Sequence, residues 1–91
     1  NLPEDRRHER FVPRNPQAWL KFDGGPELPC RIIDVSQSGA AIAANYRFPI
    51  GTAVTLGVVP ARVVRHLDDG FALEFLHVQL ADALENNVTA R

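Results

Sequence analysis

Apolar and polar positions alternate along most of this chain, and the alternation marks out a series of short strands. Residues 18–22 (Ala-Trp-Leu-Lys-Phe) predict a first strand, ended by the turn Asp23-Gly24-Gly25-Pro26. Residues 28–35 predict a second strand, and residues 40–44 a third after the polar stretch Asp34-Val35-Ser36-Gln37-Ser38-Gly39. Thr52 to Leu56 mixes β-branched and apolar side chains, which suits a pleated, half-buried surface. Gly57 to Pro60 reads as a tight link or bulge before a fifth strand over 61–66. Asp68-Asp69-Gly70 then reads as a hairpin turn into a sixth strand over 71–75.

The pattern changes at both ends. Leu76, Leu80, Leu84 and Val88 recur every fourth residue, the period of an amphipathic helix of roughly three turns. Residues 1–17 carry Pro3, Pro13 and Pro16 among many ionisable side chains, a composition that argues against a buried element. The expected fold is all-β: a small six-stranded antiparallel barrel with a C-terminal helix over one end. Closure of the sheet removes edges that an open sheet of this size would expose. Residues 1–17 form a flexible Arg-rich arm in this reading, and residues 18–91 a single domain.

Composition narrows the functional classes. A chain of 91 residues, 45% hydrophobic and 23% charged, is ordinary for one globular domain. The net charge of -1 supplies no global field for a polyanion, which disfavours general nucleic-acid binding. Nine of the ten cations are Arg, the residue whose planar fork suits phosphate and guanine. Cys30 is the single cysteine, so a disulfide framework and a cysteine zinc site are excluded. His8, His66 and His77 are scattered without metal-ligand spacing. Neither a spanning apolar run nor a signal-peptide pattern is present, and the expected location is the cytoplasm. The chain begins with Asn1 rather than Met, as a piece of a longer protein would.

Two constellations carry candidate chemistry. Arg6 and Arg10 are spaced Arg-x-x-x-Arg, as are Arg10 and Arg14, but nine arginines give about one such pair by chance. The stretch Asp34-x-Ser36-x-x-Gly39 is rarer: six Asp, two Ser and six Gly give about 0.01 chance occurrences. Its structural reading is a turn in which Asp34 and Ser36 bond nearby backbone and Gly39 supplies a positive φ. Its chemical reading is one half of a nucleotide-binding site. An ionised Asp offers only hydrogen-bond acceptors, and Gly admits close backbone approach. Arg forks grip phosphate or the O6/N7 edge of guanine.

In that order, on an all-β pattern, the motifs resemble the PilZ domain, a bacterial receptor module for cyclic diguanylate. The resemblance rests on Arg6-Arg7-His8-Glu9-Arg10-Phe11 and, 24 residues after Arg10, on Asp34-Val35-Ser36-Gln37-Ser38-Gly39-Ala40. Arg62-Val63-Val64-Arg65 and Phe71-Ala72-Leu73-Glu74-Phe75 look like the family's last two strands. The resemblance implies a non-catalytic module that needs no cofactor and binds cyclic di-GMP (c-di-GMP). It assigns Arg6 and Arg10 to a clamping arm, and Asp34, Ser36 and Gly39 to the barrel face. The family often places its doubled Arg four residues before the next; here Arg7 stands three before Arg10, so Arg7 is an additional cation. Arg10 with Arg14 is the alternative register. The implied partner is an effector protein or attached domain that reads ordering of the arm. The competing reading is a PilZ-like interaction module that does not bind the nucleotide. A hydrolase lacks a set of nucleophile, base and orienting group.

Overall fold

The computed structural model describes residues 9–22 and 25–90. Six strands and one helix follow in chain order: β1 (Gln17–Phe22), β2 (Leu28–Val35), β3 (Gly39–Ala43), β4 (Ala53–Leu56), β5 (Val59–Leu67), β6 (Gly70–Phe75) and α1 (Ala81–Val88). All pairings are antiparallel, and the strands close into a barrel in the order β1-β2-β3-β6-β5-β4. The expected all-β barrel with a C-terminal helix is therefore the observed fold.

Alternation builds the interior. Ala18 and Leu20, Cys30 and Ile32, Ala40 and Ile42, and Val59, Ala61 and Val63 point inward at every second position. Phe71 is fully buried and meets Phe48 edge-on at a centroid distance of 5.9 Å, with Tyr46 at 6.2 Å. Phe48 also stacks on Phe22 at 4.8 Å, so aromatic rings fill one mouth of the barrel. Leu84 and Val88 of α1 are buried in the same core. The helix meets the barrel near the β4–β5 turn, where Val58 N donates to Asn87 O at 3.0 Å, and the segment before it meets the β2–β3 turn, where Gln79 N donates to Gln37 O at 2.8 Å.

Three details differ from the sequence expectations. The helix starts at Ala81, because the segment before it is extended: Leu76 N donates to Pro60 O and Gln79 N to Gln37 O, and Leu80 has ψ 137°. Leu76 and Leu80 are consequently exposed, although they share the four-residue period. Strand β5 begins at Val59 and contains Pro60, whose lack of an N–H costs nothing at an exposed position where its carbonyl still accepts Leu76 N. Finally, part of the expected arm is docked. Phe11 and Val35 exchange both backbone hydrogen bonds (2.9 and 2.8 Å), Ile32 N donates to Pro16 O at 2.8 Å, and Pro13 is buried. Prolines that cannot donate suit a segment pairing through isolated bridges instead of a continuous ladder.

Each of two strands carries one extra residue. In β2, Ile32 pairs with Ile42 but Asp34 pairs with Ala41; in β5, Val63 pairs with Leu73 but Arg65 pairs with Ala72. Strict alternation from Cys30 and Ile32 would send Asp34 into the core, and alternation from Ala61 and Val63 would do the same to Arg65. The bulges turn both charged side chains outward, because the extra residue restarts the alternation.

Candidate functional site

The stretch from Asp34 to Gly39 is the end of β2, a tight turn and the start of β3. Ser36 is fully buried. Its backbone N–H donates to Gly39 O at 2.8 Å, its hydroxyl lies 3.4 Å from the same oxygen, and Ser38 N donates to Ser36 Oγ at 3.3 Å. The Ser36 and Ser38 hydroxyls are 3.2 Å apart. This hydroxyl is occupied in shaping the turn, which is the structural half of the sequence reading.

Gly39 serves the turn differently from the expectation of a positive φ. The described glycines with positive φ are Gly51 and Gly57. A Cβ on Gly39 would instead collide with the backbone oxygen of Leu73, because β3 runs close against β6. Gly39→Ala is therefore expected to destabilise the fold by about 1–3 kcal/mol, the usual cost of overpacking. Chemical denaturation measures it; a cost below about 0.5 kcal/mol would mean that the two strands part easily.

Asp34, turned outward by the β2 bulge, meets Arg10. Both Nε and a terminal nitrogen of the guanidinium lie 2.9 Å from Asp34 Oδ1. The two side chains are 37% and 34% exposed, so the pair stands at the surface. Phe11, next in the chain, holds Arg10 there through its bridge to Val35. The structure thus brings together Arg10, Asp34, Ser36 and Gly39. Arg6 and Arg7 lie outside the described residues. Arg14 points the chain elsewhere: its backbone N–H donates to Glu85 Oε2 of α1 at 2.9 Å.

Beside this pair is an open groove of about 340 Å³, lined by residues that include Arg10, Ser38, Gly39, Val64, Arg65 and Glu74. Arg65 was read from sequence only as a strand residue. The one signal for it is the broken alternation at Val63-Val64-Arg65, where two apolar residues precede the charge. Gln37, also not singled out, ties the turn to the segment before α1: its Nε2 donates to Gln79 O at 2.8 Å while Gln79 N donates back to Gln37 O.

Other chemistry finds little support. Burial pushes the Cys30 thiol up to about 12, so it stays protonated and a poor nucleophile at neutral pH. No group of three or more His, Cys, Asp and Glu side chains suited to a metal ion occurs among the described residues. No described helix is long and apolar enough to cross a membrane.

Against known families, residues 4–90 match the family model described as PilZ domain, nearly the whole chain. No curated protein matches it.

Proposed function

This chain belongs to the PilZ domain family, a family of c-di-GMP receptors, and from that premise we propose that it binds c-di-GMP at the Arg10–Asp34 groove and relays the binding to a partner. The observation that carries this reading is the 2.9 Å contact joining the Arg-x-x-x-Arg and Asp-x-Ser-x-x-Gly motifs across 24 residues. In the free protein Asp34 holds the guanidinium at the rim of the groove. When ligand enters, the carboxylate accepts guanine N1–H and N2–H donors, and the Arg10 fork turns to a phosphate or to the base. Arg6, four residues before Arg10, supplies the second arginine of the clamp, with Arg7 as an additional cation. Gly39 keeps the floor low, and Ser36 holds the shape of the turn. PilZ domains are binding modules, so no catalytic step is assigned.

The relay has a physical route. Ligand contact with the turn loads Gln37, whose paired hydrogen bonds to Gln79 lead directly into α1. Ordering of the arm pulls on Arg14, whose N–H is bonded to Glu85 of the same helix. Both contacts converge on α1, the surface that an attached domain or an effector protein would read. Isothermal titration of the protein with c-di-GMP tests the reading, with saturable binding expected. The absence of saturable binding at tens of micromolar ligand would replace it with the interaction-module alternative. Binding of a random oligonucleotide with comparable affinity at physiological salt would overturn the exclusion of nucleic acid.

A further inference from the structure

The β5 bulge has a geometric consequence on the outer face of the barrel. Asp34 pairs with Ala41, Ala41 with Ala72, and Ala72 with Arg65, so these four residues form one row across β2, β3, β6 and β5. Neighbouring strands lie about 4.8 Å apart, so the charged ends of this row are about 14 Å apart along the barrel wall. Between them the wall carries only the methyl groups of Ala41 and Ala72. In the next row Gly39 pairs with Glu74, and Glu74 with Arg62. The groove shared by Arg10 and Arg65 takes in Ala72 from the first of these rows and Gly39 and Glu74 from the second.

The two sides of the groove differ in charge. Arg10 is compensated by Asp34, and Arg62 is 3.4 Å from Glu74. Arg65 lines the same groove as Arg10, and its side chain makes no hydrogen bond or ion pair among the described residues. The bulge turns this guanidinium out of the core, where a lone charge would be prohibitive.

We infer that Arg65 is a ligand-binding residue, gripping a phosphate of the nucleotide from the wall opposite Arg10. This rests on the proposed receptor reading and deepens it: the ligand lies in the groove over Gly39 and Ala72 and is held by Arg10 on one side and Arg65 on the other. A phosphodiester is the matching group, because Arg65 is the groove cation without a carboxylate partner among the described residues.

The test is titration of the intact chain and of three variants with c-di-GMP, alongside thermal melts. Arg65→Ala is expected to weaken binding at least about tenfold with an unchanged melting temperature, since Arg65 is exposed. Arg65→Lys is expected to recover most of that loss, because a point charge still meets a phosphate. Arg62→Ala, which removes an equal charge from the same strand, is expected to stay within about threefold of wild type. Wild-type binding with Arg65→Ala within about threefold of it would overturn the inference and leave the receptor reading standing. Equal losses in Arg62→Ala and Arg65→Ala would overturn it as a mere net-charge effect. Arg65→Lys as weak as Arg65→Ala would overturn the phosphate contact. Failure of the wild-type protein to bind would overturn the receptor reading itself, and this inference with it.

Discussion

Arg10→Ala is expected to lose c-di-GMP binding by at least about 100-fold while the barrel stays folded. The two halves of that expectation have different sources. Losing charge-assisted hydrogen bonds to an anionic ligand costs about 3 kcal/mol, close to two decades in affinity. The same side chain contributes little to folding, because its ion pair with Asp34 is more than a third exposed on the Arg10 side and is screened by solvent. Such pairs are worth about 0.2–1 kcal/mol, a shift of no more than about 8 °C in a domain of this size. The segment's anchorage comes instead from the Phe11–Val35 backbone bridge and buried Pro13, which the substitution leaves in place. Titration beside a circular-dichroism melt checks both halves. Undiminished affinity would remove Arg10 from the site and leave Arg6 and Arg7 to carry the clamp. A collapsed melting curve would show that the ion pair, and not the bridge, docks the segment.

Phe71→Ala is expected to have the largest effect on stability. Its ring is fully buried, lies opposite Ile42 and His66 in the ladder, and packs against Tyr46 and Phe48. Deleting a ring of this kind costs about 3–5 kcal/mol, lost transfer energy plus the cavity left behind. Domains of about 90 residues have roughly 5–14 kcal/mol in total, so the variant would retain a narrow margin or none. A fall of at least about 12 °C in melting temperature is expected. Relaxation around the gap is limited, because β6 is clamped on both sides by β3 and β5. A cost below about 1.5 kcal/mol in a denaturant titration would mean that the aromatic mouth closes over the gap and that the core is centred elsewhere.

Much of this molecule was legible without coordinates. Period-two patterning placed six strands within a residue or two, since one buried face forces alternation. The motif order points to the PilZ family, whose model residues 4–90 match. The helix boundary was not legible. Leu76 and Leu80 share the period of Leu84 and Val88, but Leu76 N donates to Pro60 O and Gln79, the neighbour of Leu80, donates its N–H to Gln37 O. A period in sequence does not say which backbone partners are nearby. The docking of Phe11 to Pro16 was equally hidden, because isolated bridges leave no pattern.

The site divides in the same way. Sequence by itself determined which residue types stand at Arg10, Asp34, Ser36 and Gly39, and hence the class of chemistry available, because motif spacing and residue chemistry are local properties. Only the tertiary structure decided what each one does. It buried Ser36 inside the turn, gave Gly39 a steric reason in place of a conformational one, and set Arg10 against Asp34. It also decided that Arg65 faces the groove. Alternation alone sends that side chain inward, and only the strand register, shifted by one residue against β6, turns it out.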